Sequence, residues 1–166
     1  MTRTAHRYRD TALIDSRAPR FNQATVGLVS LLAVATGSWW LWALLAVQLA
    51  LGLTLGRRFC LACVAYFELV QPRLGEGPLE DSRPPRFANL VGLVFLTAAA
   101  AFAAAGLPLV GAVLGALVAA LALLAAITGF CAGCEAYKLG CILRGEPFVS
   151  CPLPPRPRDE AVPELR

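Results

Sequence analysis

The sequence predicts an all-α membrane protein with four transmembrane helices, formed by two tandem parallel repeats of a helical hairpin. Of its 166 residues, 57% are hydrophobic and only 16% are charged, a composition typical of membrane proteins. Two long segments, 21–56 and 87–134, contain no charged residue. The same two motifs flank these segments in the same order, which indicates an internal duplication.

The two motifs define the repeat unit. The pattern DSRxPRF occupies 15–21 and returns at 81–87, and the pattern FCxxCxAY occupies 59–66 and returns at 130–137. Each half of the chain therefore has the order DSRxPRF, apolar segment, FCxxCxAY. We expect two equivalent units that enter the bilayer in the same orientation, related by a pseudo-twofold axis along the membrane normal.

Each uncharged segment is long enough for two spans. The shorter one has 36 residues, and as a single helix it would be roughly 54 Å long, against a hydrocarbon core of roughly 30 Å. Gly37-Ser38 and Gly106-Leu107-Pro108 are typical of chain reversals and divide the segments. The predicted spans are 21–37, 40–56, 87–105 and 108–130.

The remaining segments complete the domain organisation. After each FCxxC motif the chain stays moderately apolar, which predicts a helix along the membrane interface. We expect residues 1–14 to form a cytoplasmic basic arm and residues 147–166 to form a disordered, proline-rich cytoplasmic tail. Residues 15–80 and 81–146 form the two predicted repeats.

The basic residues predict the orientation. Five precede the first uncharged segment, five lie between the two segments and five follow the second, whereas the hairpin tips have none. The positive-inside rule then places the N-terminus, the central loop and the C-terminus in the cytoplasm. The net charge of +4 suits contact with anionic lipid, and no nucleic-acid partner is expected.

Four cysteines carry the most distinctive chemistry: Cys60, Cys63, Cys131 and Cys134. The CxxC spacing separates two sulfurs by one helical turn, which suits a redox-active dithiol or chelation of one ion. Because they face a reducing compartment, we expect thiols or ligands rather than permanent disulfides. If the pairs converge, the four sulfurs could hold zinc or an iron-sulfur cluster, and if they stay apart, each pair is a separate dithiol. Packing of small buried residues at helix ends is the plainer alternative.

Arginines and acids at the motif ends form a second group. We expect the arginines to bind anions or lipid headgroups and to lower thiol pKa values where they approach a cysteine. Asp15 and Asp81 precede helices and are expected to cap them or to pair with these arginines. The arginines are Arg17, Arg20, Arg57, Arg58, Arg83 and Arg86.

Several classes of function are disfavoured. The only histidine is His6, so haem ligation, a catalytic triad and histidine-based metal sites are not expected. No acidic residue lies within a predicted span, which argues against proton-coupled transport and ion pumping. A passive conduit for a small solute or anion is an alternative that would require several chains to assemble as an oligomer.

The second-half motifs resemble a known family. DSRPPRF at 81–87 and GFCAGCEAY at 129–137 are similar to motifs of the bacterial membrane family called domain-of-unknown-function family 4395, over roughly residues 13–143. The resemblance implies a small multi-pass protein of the bacterial inner membrane, often encoded near rhodanese-like sulfurtransferases and thioredoxin-like proteins. Cys131 and Cys134 occupy the family's usual cysteine positions, whereas members commonly lack a pair equivalent to Cys60 and Cys63.

The leading functional hypothesis is thiol redox or sulfane-sulfur handling at the cytoplasmic face. Cys131 or Cys134 would be the nucleophile of low pKa and the other the resolving thiol, served by a soluble thioredoxin-like or rhodanese-like partner. This hypothesis requires no cofactor. The alternatives are the passive conduit and a non-catalytic module in which all four motif cysteines hold zinc or an iron-sulfur centre.

Overall fold

The computed structural model describes Tyr8 and residues 13–75 and 77–145, which form a helical bundle with one very short sheet. The predicted arm lies mostly, and the predicted tail wholly, outside the described residues. The strands are β1 (Leu13–Asp15) and β2 (Leu79–Asp81). The helices are α1 (Arg17–Thr36), α2 (Trp39–Thr54), α3 (Leu61–Ala65), α4 (Gln71–Leu74), α5 (Arg83–Ala104), α6 (Pro108–Thr128) and α7 (Ala132–Arg144).

All four predicted apolar segments are helices, and the two predicted reversals are confirmed. The turn at Gly37 ends α1 with a φ of 68°, which favours glycine, and Pro108 begins α6. By length and composition, α5 and α6 are able to cross a membrane, whereas α2 is a shorter apolar helix of 16 residues.

The helices predicted after the FCxxC motifs are also present. In the first half, a 3-10 turn (Arg57–Phe59) leads into α3, which continues through a π turn (Tyr66–Val70) into α4. In the second half, the equivalent segment is the single helix α7. Each CxxC motif therefore lies at the start of a helix.

Helices α1 and α5 begin four residues before the predicted spans because an aspartate supports each first turn. The backbone N–H of Arg17 donates to Asp15 Oδ1 at 3.0 Å, and that of Arg83 donates to Asp81 Oδ1 at 2.9 Å. Asp81 also forms an ion pair of 2.7 Å with the Arg83 guanidinium. The prediction that these aspartates cap their helices or pair with the arginines is confirmed, by capping for both and by an ion pair for Asp81.

A two-stranded antiparallel sheet joins the two DSR motifs, although the sequence analysis predicted no strand. β1 pairs with β2 in the register Leu13↔Asp81, Ile14↔Glu80 and Asp15↔Leu79. The sheet brings the entrances of α1 and α5 side by side.

The bundle is held by contacts between the halves. α1 packs most extensively against α6, and α2 packs most extensively against α5. A buried polar chain crosses three helices, since Trp42 Nε1 donates to Ser30 Oγ at 3.0 Å and the Ser30 hydroxyl donates to the Gly115 carbonyl at 2.9 Å. A Cβ at Gly115 would lie 2.5 Å from the Trp42 indole, so only glycine permits this approach.

The outer faces of the four long helices are apolar. Large aliphatic side chains near the middle of each helix point outward, which is unusual for a protein surrounded by water. The examples, one from each helix in chain order, are Leu28 (59% exposed), Leu44 (57%), Val94 (60%) and Val113 (60%).

Candidate functional site

The two CxxC pairs share one local geometry. Cys60 and Cys131 are the N-cap residues of α3 and α7, and both have an extended backbone. The backbone N–H of Cys63 donates to Cys60 Sγ at 3.4 Å, and that of Cys134 donates to Cys131 Sγ at 3.3 Å. In each pair the first sulfur accepts a hydrogen bond from a backbone N–H that has no partner within the helix. The positive end of the helix dipole favours a thiolate there.

The first pair is buried. Cys60 is 4% exposed and Cys63 is 9% exposed. A hydrogen bond from the Cys63 thiol lowers the pKa of Cys60 from its ordinary 9.0 to about 7, against the opposing effect of burial. The same hydrogen bond, together with burial, raises the pKa of Cys63. The Cys60 thiol also lies 3.7 Å from Asn22 Oδ1 and donates to it.

A buried carboxylate organises the region around the first pair. Asp15 is 2% exposed and accepts hydrogen bonds from the Tyr66 hydroxyl at 2.9 Å and the Gly77 N–H at 3.0 Å. Tyr66 and Phe67 pack beside Cys60 and Cys63 in one apolar cluster. Asp15 therefore connects β1, the π turn after α3 and the loop before β2.

The second pair is more accessible, with Cys131 and Cys134 both half-buried. A hydrogen bond from the Cys134 thiol lowers the pKa of Cys131 from 9.0 to about 6, and the Gln23 side chain contributes to the same direction. The hydrogen bond and burial raise the pKa of Cys134. Of the two candidates for the nucleophile, the geometry favours Cys131, because it forms a thiolate more readily at neutral pH.

The two pairs lie at different cavities. Cys131 lines a mostly apolar cavity of about 400 Å³ between α1, α5, α6 and α7. Cys60 and Cys63 line a more polar cavity of about 280 Å³. Asn89 contributes to both cavities and accepts a hydrogen bond of 3.2 Å from Asn22 Nδ2.

No four-sulfur centre is assembled. Within Tyr8, 13–75 and 77–145, no group of three or more His, Cys, Asp or Glu side chains is arranged to hold a metal ion. The zinc or iron-sulfur alternative for Cys60, Cys63, Cys131 and Cys134 therefore gains no support from this arrangement. The cysteines in the described part of the chain are all free thiols, and they include Cys141, which is buried in α7.

The six candidate arginines do not share one location. Arg57 and Arg86 line the smaller cavity with the first thiol pair, and Arg57 acts electrostatically to lower the pKa of Cys63 against the larger raising effects. Arg86 also donates to the Leu53 carbonyl at 3.2 Å. The other four do not line this cavity. Arg58 lies over the ring of Tyr8 at the edge of the cavity, Arg83 pairs with Asp81, Arg20 lies beside Gly129 and Arg17 lies beside Gly77.

Polar residues inside the apolar segments contribute to the site in a way that the sequence analysis missed. Asn22 and Gln23 contact Cys60 and Cys131 respectively, and Gln48 lines the cavity of the first pair. Their rarity could have pointed to them, because few uncharged polar side chains occur in these apolar segments. Only the fold brings them to the thiols.

Comparison with known proteins identifies the family. No curated protein and no solved structure shows significant similarity to this chain. One family model matches residues 14–141, which is more than half of the chain, and its description is "Domain of unknown function (DUF4395)". This range includes both thiol pairs, all the residues that line the larger cavity, and the sheet except Leu13. The chain therefore belongs to the DUF4395 family.

Proposed function

We propose that this protein is a four-span protein of the bacterial inner membrane that exchanges electrons between thiols at its cytoplasmic face. Cys131 is the nucleophile and Cys134 is the resolving thiol. The observation that carries the proposal is the sulfur cap of α7, in which one half-buried thiol of low pKa lies one turn from a thiol of raised pKa.

The apolar outer faces of α1, α2, α5 and α6 support the four spans. Lipid tails solvate exposed aliphatic side chains such as Leu44 and Val94, whereas water would not. The 16 residues of α2 correspond to about 24 Å of helix, which is short for a span and suits a local thinning of the bilayer.

The strand register and the helix pairing support the tandem repeat. Equivalent positions of β1 and β2 are 66 residues apart, as Asp15 and Asp81 are. Exchange of the two strands leaves their pairing unchanged, and Ile14↔Glu80 is the central pair. Exchange of the two halves likewise converts the α1–α6 contact into the α5–α2 contact. Both properties are expected of a pseudo-twofold axis, which would place the two thiol pairs at the same membrane surface.

The two thiol pairs have different accessibility, which supports a catalytic role for the second pair. Cys131 and Cys134 are half-buried, whereas Cys60 and Cys63 are almost fully buried. A soluble thioredoxin-like protein is the expected partner, because the positive-inside rule places α7 on the cytoplasmic side. A rhodanese-like sulfur donor would use the same nucleophile.

A trapping experiment tests the assignment. A mixed disulfide persists when neither protein can resolve it, so Cys134→Ser should accumulate a mixed disulfide between Cys131 and a thioredoxin-like protein whose own resolving thiol has been replaced. Cys131→Ser should accumulate none, and the control Cys141→Ser should behave like the unaltered protein. Equal trapping by Cys131→Ser would refute the assignment.

Metal analysis separates this proposal from the four-sulfur module. We expect anaerobically purified protein to contain far less than one zinc or iron per chain and to expose titratable thiols at Cys131 and Cys134. About one metal ion per chain, lost on replacement of any of the four motif cysteines, would favour the module instead.

A further inference from the structure

The cavity beside Cys131 is almost entirely apolar, and its few polar side chains lie at one end. Its volume of about 400 Å³ is within the range of small-molecule sites. Cys131 and the side-chain amides of Asn22, Gln23 and Asn89 line the end near α7, where α1 and α5 begin. Further along these helices the lining is apolar, as at Phe95. The cavity therefore fits a ligand with a polar head and an apolar body.

A membrane-dissolved quinone has this chemistry. Its two carbonyl oxygens accept hydrogen bonds from side-chain amides, and its isoprenoid tail is as apolar as the cavity lining. A phospholipid would also fill the apolar part with an acyl chain and bring its ester carbonyls near the amides, but it cannot take up electrons from the thiols. A quinone also takes up two electrons, which is the number that a thiol pair releases when it forms a disulfide.

We propose that this cavity binds a lipid-soluble quinone, which Cys131 and Cys134 reduce to the hydroquinone. This inference rests on the proposed thiol redox function and names its electron acceptor. Cys131 lines the cavity and Cys134 does not, so the sulfur of Cys131 meets the quinone ring. A soluble thioredoxin-like protein then reduces the resulting disulfide.

The reaction balances in two steps. The Cys131 thiolate adds to the ring, an S–C bond forms, and the displaced electron pair moves to one quinone oxygen, which takes a proton. The Cys134 thiolate then attacks Cys131 Sγ, the S–S bond forms, and the S–C bond breaks. The electron pair of that bond returns to the ring, and the second oxygen takes a proton. Two thiols become a disulfide and the quinone becomes a hydroquinone.

The experiment uses the full chain, reduced and reconstituted in lipid nanodiscs, with decylubiquinone as the probe. All ring positions of this quinone are substituted, so it cannot arylate a thiol by replacement of a ring hydrogen. We expect one hydroquinone and one disulfide between Cys131 and Cys134 per chain. The same preparation is tested separately with a water-soluble disulfide, which reports thiol exchange without the cavity.

Variants that fill the cavity test where the quinone binds. A Cβ at Gly92 makes only an ordinary contact of 3.5 Å with Leu49, so Gly92→Phe can extend into the cavity, and Ala122→Phe fills it from α6. Both should slow quinone reduction at least about tenfold. Gly140→Phe is the matched control, because nothing lies within 4 Å of that position. Protection of the buried Cys60 from a water-soluble alkylating reagent shows whether each variant is folded.

Two results would overturn the inference and leave the proposed function standing. In the first, the protein exchanges with the water-soluble disulfide but leaves the quinone oxidised, as expected of a cavity that holds lipid only. In the second, Gly92→Phe and Ala122→Phe reduce the quinone as fast as Gly140→Phe does. If the protein reacts with neither the soluble disulfide nor the quinone, the proposed function itself is wrong.

Discussion

Replacement of Cys134 by alanine should raise the pKa of Cys131, because the Cys134 thiol provides the largest contribution to lowering it. A hydrogen bond to a charged group is worth about 1.5–3 kcal/mol, and one pKa unit corresponds to about 1.4 kcal/mol. Since Cys131 is only half-buried, the lower end of this range applies. The pKa should therefore move from about 6 by about one unit, towards the ordinary value of a cysteine.

The midpoint of a pH profile is the quantity to measure. At pH 7 a thiol of pKa about 6 is about 90% ionised, whereas one of pKa 9.0 is about 1% ionised. The intrinsic nucleophilicity of the thiolate falls about 16- to 32-fold over three pKa units, so the net gain in rate at pH 7 is only about three- to sixfold. Alkylation of Cys131 by iodoacetamide, followed by peptide mass spectrometry from about pH 5 to about pH 10, gives the midpoint directly.

Cys141→Ala is the matched control for this measurement, since it removes another thiol from the same helix without touching the CxxC pair. Its Cys131 midpoint should equal that of the unaltered protein. A midpoint near 9 in the unaltered protein would refute the claim that the Cys134 thiol lowers the pKa of Cys131, and so would an equal shift in Cys134→Ala and Cys141→Ala.

The helix packing at Gly115, the role of the buried Asp15 and the orientation in the membrane can each be tested. Gly115→Leu should overpack the core and lower stability by about 1–3 kcal/mol in unfolding experiments in detergent, whereas Gly140→Leu should stay within about 0.5 kcal/mol of the unaltered protein. Asp15→Ala leaves several buried donors unpaired and should lower the free energy of unfolding by about 3 kcal/mol or more. Asp81→Ala should lower it by only about 1 kcal/mol, and equal losses would contradict the role of the buried carboxylate. An impermeant maleimide should label Ser38→Cys in intact cells and the native cysteines only after permeabilisation, and the reverse pattern would invert the proposed orientation.

The sequence was sufficient for the helices and their reversals, because these depend on local patterns. Long uncharged segments, a glycine before α2 and a proline at the start of α6 define where helices begin and end. The duplicated motifs also led to the thiol pairs as the candidate site. Helices α1 and α5 extend four residues beyond the predicted spans because an aspartate outside the apolar segment supports the first turn.

The remaining features depend on which helices become neighbours, and no local pattern contains that information. The packing of α1 on α6 brings the Gln23 amide near Cys131, and the pairing of β1 with β2 joins segments 66 residues apart. For the same reason the sequence left open whether the two sulfur pairs meet. Their separation at two cavities follows from the bundle geometry rather than from the CxxC spacing.

The sulfur that caps α7 also links the oxidation state of the pair to the order of the backbone. When Cys131 joins Cys134 in a disulfide, its sulfur loses its negative charge and becomes a weaker acceptor for the amide that it now holds at 3.3 Å. The first turn of α7 should then loosen on oxidation and tighten again on reduction. A soluble partner could recognise this difference in backbone order, docking on the loosened form and leaving once the helix has reformed.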